Sequence, residues 1–192
     1  MSRLQLGVSS MLKSKTIMVI MTLSMLYSIG VGLLGPVYPI FVVNRFSASI
    51  LDIGFLYALF GFIAAIFQVL AGKLADNHGR ERVFFAGVML GAICSVSYIY
   101  ASDIKQLYVI ELLFGVSYAL QRPSMLAMMV DLSDRRSRST VLGMFESIYT
   151  MIEAISALLA TIIISQIGFE TLFFICSGCQ ATSGFIALKY KR

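Results

Sequence analysis

Six apolar runs separated by short polar turns divide this chain of 192 residues, near Ile17–Val43, Ile53–Ala71, Val83–Ala101, Leu107–Leu132, Val141–Ile167 and Leu172–Leu188. Crossing the hydrocarbon core takes roughly 20 mostly apolar residues in a helix, and each run is about that long. The last is interrupted by Ser, Gly and Gln. The period-two alternation of a membrane β-barrel is absent, and lipid cannot satisfy the backbone of an open sheet. The pattern predicts an all-α membrane protein with six transmembrane helices. Residues 1–16 are then a tail, 17–188 the bundle and 189–192 a basic end.

Composition agrees with the pattern. Apolar residues make up 58% and charged residues 13%, against about 25% charged in a soluble domain; the mean hydropathy is +0.87. Fifteen Lys and Arg give a net charge of +5, and their placement fixes an expected orientation. With the N-terminus inside, Arg3, Lys13, Lys15, Lys73, Arg80, Arg82, Arg135, Arg136, Arg138, Lys189, Lys191 and Arg192 fall on one side. Arg45 and Lys105 fall on the other, and Arg122 lies within a span. Basic residues favour the cytoplasmic side, so both termini are expected in the cytosol of a multi-pass cell-membrane protein. The positive charge is therefore a topology signal, and no nucleic-acid partner is expected. The first run is too long for a signal-peptide core and stays as a span. Cys176 and Cys179, in C-S-G-C, lie inside a span without a partner His or second Cys pair. They read as small packing residues, and no metal or cofactor is expected.

Proline occurs in the second half of the first run (Pro36, Pro39) and of the fourth (Pro123). This hints at a repeat of three helices, because interrupted helices at corresponding repeat positions mark a binding site. Proline is also simply tolerated in membrane helices, and the pattern alone leaves both readings open. Gly87 and Gly91 form G-x3-G in the third run, a close-packing motif read as internal.

Between the second and third runs lies Gly72-Lys73-Leu74-Ala75-Asp76-Asn77-His78-Gly79-Arg80-Glu81-Arg82. It resembles the loop motif of the major facilitator superfamily, G-x-L-A-D-R-x-G-R-K/R. Gly72, Leu74, Ala75, Asp76, Gly79 and Arg80 match; Asn77 replaces the usual Arg, and Glu81 stands where a base is common. The stretch Ile29–Pro39 is similar to the first-helix motif L-G-x5-P-V-x-P of that family's drug:proton antiporter group. The resemblance implies a major-facilitator-type bundle with a 3+3 repeat, half of a two-bundle transporter that rocks about a central site. The partners it implies are the lipid bilayer, a small-molecule substrate, protons, and a second six-helix bundle supplied by a longer chain or by dimerisation. It also implies a conformational-switch loop built on Gly72, Asp76, Gly79, Arg80 and Arg82. Gly72 and Gly79 are expected to permit close approach and a tight turn, Asp76 to accept backbone N–H bonds at a helix start, and Arg80 and Arg82 to reach Asp131 or Asp134. Two departures stand out. Glu111 and Phe114 occupy the Arg and Gln positions of the fourth-helix motif L-x3-R-x2-Q-G, and G-x3-G-P-x2-G-G is missing from the fifth. Both bear on proton coupling and leave the expected fold untouched.

Ionisable residues inside a membrane are costly and usually mark a pathway or a partner. Helical spacing puts Glu111, Gly115, Tyr118 and Arg122 on one face of the fourth span, and Glu146, Thr150, Glu153 and Ala157 on one face of the fifth. The first span offers Tyr27, Leu34 and Tyr38, the second Tyr57, Gly61, Ala64 and Gln68. In the resembled family helices one, two, four and five line the central cavity. The expected substrate or proton pathway is Tyr27, Tyr38, Tyr57, Gln68, Tyr118, Arg122, Glu146 and Glu153. Counting from the turn near Arg135 puts Arg122 and Glu146 within ~3 Å in depth and predicts an ion pair, with Glu153 deeper and unpaired. His78 reads as a solvated residue. Nothing in the chain suggests an enzyme or an ATP-driven pump. The leading expectation is secondary transport of a small organic molecule, with efflux of a drug or lipophilic cation as one form. The alternative is a non-transporting half-transporter, scaffold or degenerate fragment.

The orientation is testable with single thiols introduced in intact cells. Impermeant reagent added outside is expected to label Arg45→Cys and Lys105→Cys and to spare Lys73→Cys and Arg136→Cys; the opposite pattern inverts the map.

Overall fold

The computed structural model describes residues 15–131, 133 and 138–189. Most of the tail, Asp134 to Ser137 and the last three residues lie outside the described residues. The elements are α1 (Lys15–Leu34), α2 (Tyr38–Phe46), α3 (Ile50–His78), α4 (Arg80–Tyr100), α5 (Ile104–Asp131), α6 (Arg138–Ile167) and α7 (Phe169–Lys189). No strand occurs among the described residues. Together α1 and α2 form the first span, Met18–Phe46.

Among the described residues, five spans are long and apolar enough to cross a membrane: Met18–Phe46, α3, α4, α6 and α7. The interrupted last run is thus among them. The one outside that group is α5, whose 28 residues are length enough but include Lys105, Glu111, Arg122 and Asp131. The fourth span is therefore the polar one.

Local chemistry sets the boundaries. Pro36 has no N–H to continue α1, and the chain turns before α2, which carries Pro39 in its first turn. Pro123, in contrast, sits inside an unbroken α5. The two prolines therefore do not make matching breaks in the two repeats. Ser49 and Asp52 form a capping box at the start of α3: the Ser49 N–H donates to Asp52 Oδ2 (2.8 Å), and the Asp52 N–H donates to Ser49 Oγ (3.2 Å). Gly79 alone separates α3 from α4, at φ 97°, a left-handed conformation that glycine adopts without steric cost.

The helix pairing carries the repeat. α5 packs on α3 and α4, α1 packs on α6 and α7, and α4 packs on α7. Exchanging the first three spans for the last three maps this set of contacts onto itself, as a 3+3 bundle requires. The periphery differs from the centre. In the most apolar window of α3 only 11% is buried and in α6 17%, against 50% in α4. Apolar side chains such as Phe62, Ile66 and Val69 on α3, and Met151 and Leu158 on α6, point away from the bundle.

Glycines allow the closest approaches. A Cβ on Gly87 would lie 2.8 Å from Gln121 Cγ and 2.9 Å from Leu120 Cβ, so G-x3-G packs α4 against α5 within the bundle. A Cβ on Gly115 would lie 2.8 Å from the Phe60 carbonyl oxygen, a backbone atom that cannot rotate away. Gly115→Ala is accordingly expected to destabilise the detergent-solubilised protein by about 1–3 kcal/mol. Gly61→Ala, with nothing within 4 Å of the new methyl, is expected to be neutral or slightly stabilising. Thermal unfolding followed by size-exclusion fluorescence checks both; equal midpoints for the two variants would refute the close approach.

Candidate functional site

Polar residues on α1, α2, α3, α5 and α6 surround one cavity of about 370 Å³, with Tyr98 of α4 closing a corner. That volume is within the range of small-molecule sites. At one end Arg122 Nη2 donates to Glu146 Oε1 at 2.8 Å, the pair expected from depth along two antiparallel helices. The guanidinium also lies 5.1 Å from the Tyr149 ring centroid, within cation–π range. Arg122 Nη1 and the Tyr27 hydroxyl, both buried, have no hydrogen-bond partner among the described residues. Glu153 faces the cavity on the same helix as Glu146 and makes no ion pair among the described residues.

The other end is acidic and aromatic. Glu111 is buried and accepts a hydrogen bond from the Tyr98 hydroxyl at 2.7 Å. The Tyr38 ring stands 5.3 Å from Tyr98 and 5.9 Å from Tyr57, centroid to centroid. Eleven residues of α5 separate Glu111 from Arg122, about 16 Å along the axis. Between them Phe60 packs edge-on against Tyr118, at 5.5 Å.

Of the eight residues expected on the pathway, six line this cavity: Tyr27, Tyr38, Tyr57, Tyr118, Arg122 and Glu153. Glu146 does not; it borders a shallow groove with Thr150 and meets the site through its pairing with Arg122. Gln68 is half-buried and outside the lining. It sits eleven residues beyond Tyr57, near the other end of α3, so a shared helical face does not give it a shared depth. Sequence reasoning passed over Tyr98, Ser117, Gln121 and Tyr149, all of which line the cavity. Tyr149 is one position from the Thr150 of the expected stripe. Tyr98 belongs to the third span, which helical spacing alone gave no reason to include. Behind the cavity Gln121 Nε2 and Ser117 Oγ both donate to the Gly87 carbonyl, at 2.9 and 2.8 Å, and join α5 to α4.

The expected switch loop is mostly helix. Residues through His78 continue α3, Gly79 is the turn, and α4 begins at Arg80. Gly72 lies inside α3, and a methyl placed on it would meet nothing within 4 Å among the described residues. Asp76 stands in the last turn of α3 rather than at a helix start. The helix dipole disfavours an acid there, and Arg80, at 3.6 Å, offsets it. Arg80 also pairs with Asp131, and its Nη1 donates to the Ala127 carbonyl at 2.9 Å, which ties α4 to the end of α5. Arg82 is exposed, and Asp134 lies outside the described residues. His78 is exposed, with Nδ1 3.3 Å from the Leu74 carbonyl. Cys94, Cys176 and Cys179 are free thiols, the first two buried.

Known proteins are similar to this chain in sequence. An uncharacterized MFS-type transporter of Methanocaldococcus jannaschii is 31% identical over 62% of this chain and 30% of its own length. Multidrug resistance protein 2 of Bacillus subtilis is 27% identical over 68% of this chain and 33% of its own. The chain thus spans about a third of these relatives. A second uncharacterized MFS-type transporter, also of Bacillus subtilis, is 23% identical over 82% of this chain and 96% of its own length. A family model described as Major Facilitator Superfamily matches residues 20–191. With the 3+3 helix pairing and a charged cavity inside an apolar bundle, that match over nearly the whole sequence places the chain in the Major Facilitator Superfamily.

Proposed function

We propose that this bundle is one half of the translocation path of a secondary transporter, which moves a small organic molecule, a drug or lipophilic cation in efflux, by alternating access. The observation that carries the reading is the cavity itself. Charged and phenolic side chains are costly inside a bilayer, yet here they converge on one space from six helices. A packed core would have no reason to keep Glu153 without an ionic partner among the described residues, or Arg122 Nη1 and the Tyr27 hydroxyl unsatisfied. The drug-resistance relatives support the substrate class.

The other wall comes from a second six-helix bundle, in a longer chain or in a second copy. Parallel insertion of two identical halves reproduces the arrangement of the family's two bundles. Both termini face the cytosol, and the Arg80–Asp131 pair belongs to the face where the two bundles meet and part. In this reading Glu153 carries the proton or meets the cationic substrate, and Arg122 with Glu146 holds α5 to α6 beside the path.

Proteoliposomes with and without a pH gradient test the reading directly. Gradient-driven uptake of a fluorescent lipophilic cation is expected, and Glu153→Gln is expected to abolish its pH dependence while leaving the fold intact. Unchanged transport and pH dependence in that variant remove Glu153 from the mechanism. The Arg122–Glu146 pair has a separate test. Because the Glu146 side chain is 38% exposed, Arg122→Ala is expected to cost only about 1–3 kcal/mol of stability. The double variant Arg122→Ala with Glu146→Gln is expected to cost less than the sum of the two single changes.

A further inference from the structure

Two hydrogen-bond donors in the cavity have nothing to donate to among the described residues: Arg122 Nη1 on α5 and the hydroxyl of Tyr27 on α1. Both atoms are buried, and Tyr27 as a whole is 0% exposed. Burying such a group unpaired is unfavourable, and the neighbouring residues avoid it: Gln121 and Ser117 donate to the Gly87 carbonyl. The two orphaned donors share one corner. The Arg122 guanidinium lies 5.1 Å from the centroid of the Tyr149 ring and the Tyr27 ring 6.2 Å from it. All three side chains line the same cavity.

What this corner can receive follows from its chemistry. A guanidinium nitrogen only donates, so the guest atom that meets it has to be an acceptor. Charge then decides which kind. Arg122 Nη2 is taken by Glu146 at 2.8 Å, which balances the guanidinium from outside the cavity lining. An anion at this corner would also face Glu153, an acid in the lining. A neutral carbonyl oxygen avoids that encounter and has two lone pairs, one for each donor. The lining here is aromatic as well, with Tyr149 beside the guanidinium and Tyr118, one turn from Arg122, packed on Phe60. Such rings suit a flat guest.

We propose that Arg122 Nη1 and the Tyr27 hydroxyl form a subsite for a carbonyl oxygen, and that the cavity selects aromatic ketones and amides over hydrocarbons of the same shape. The assignment rests on the reading of the cavity as a substrate path and adds a chemical requirement to it: the guest, whatever charge it carries elsewhere, has a carbonyl group. No proton moves and no covalent bond forms. Selection comes from two hydrogen bonds, in a place where a hydrocarbon would leave both donors buried and unpaired.

Fluorenone and fluorene are a matched pair of probes, flat and uncharged, that differ in the carbonyl. With the purified full chain in detergent, equilibrium dialysis against protein-free micelles is expected to show fluorenone bound at least about tenfold more tightly than fluorene. The infrared carbonyl stretch of bound fluorenone is expected below its value in protein-free micelles, because hydrogen bonds weaken the C=O bond. Tyr27→Phe removes one donor and keeps the ring. It is expected to narrow the gap between the two probes and to return the stretch part of the way. Arg122→Met combined with Glu146→Gln removes the other donor without stranding a charge and is expected to act in the same direction. Where that double variant does not fold, Tyr27→Phe decides alone. Equal affinities for the two probes in the wild type overturn the proposal, as does a stretch that Tyr27→Phe leaves in place. Fluorene-9-carboxylate binding more tightly than fluorenone would assign the donors to an anion and overturn it too. A wild-type protein that binds neither probe overturns the subsite. Transport is judged separately in proteoliposomes: a protein that binds fluorenone yet moves no cation keeps the subsite and loses the transport role.

Discussion

Hydrocarbon offers no hydrogen bonds, so each polar group this chain carries into the bilayer has to be satisfied by another part of the chain. Much of the structure follows from that. Serines and threonines within the helices turn back on the preceding turn, as Ser28 does to the Ser24 carbonyl and Ser95 to the Gly91 carbonyl. Gln121 and Ser117 share the Gly87 carbonyl on the neighbouring helix. Glu111 takes the Tyr98 hydroxyl and Arg122 takes Glu146. Unpartnered buried atoms on Tyr27 and Arg122 face the cavity, where water or a bound molecule can supply what the protein does not.

The same economy divides the bundle into a tight and a loose part. α4 is pressed against α5 and α7 through Gly87 and Gly184, where a Cβ would come within 2.8 Å and 2.6 Å of the facing side chains. Those contacts leave little room for one helix to slide on another. α3 and α6 instead present broad apolar faces outward. A unit built this way resists deformation at the cavity. Arg80 reinforces that unity by fastening the start of α4 to the end of α5 through Asp131 and the Ala127 carbonyl.

The cavity then has two poles. One carries Arg122, balanced by Glu146, with Glu153 close by. The other carries Glu111 among tyrosines. The departure of this chain from the family motif at position 111 exchanges a base for an acid at the second pole.

The six helical segments, the helical class and the family were all legible in the order of residues, because hydrophobic length and turn chemistry are local properties of the chain. The Arg122–Glu146 pair was legible too, since rise per residue converts position into depth when two helices are joined by a short turn. Rotation and lateral position were not. Gln68 shares a face with Tyr57 but not its depth, Tyr98 entered the site from a helix that spacing alone does not select, and Gly72 lies within α3 rather than in a loop. Whether Pro36 or Pro123 breaks its helix was likewise settled in the folded state. α1 ends before Pro36 and α2 starts anew at Tyr38, whereas α5 stays continuous through Pro123, packed on both sides by α3 and α4. Such choices depend on which neighbours fill the space around a residue, and packing between distant parts of the chain is what specifies them.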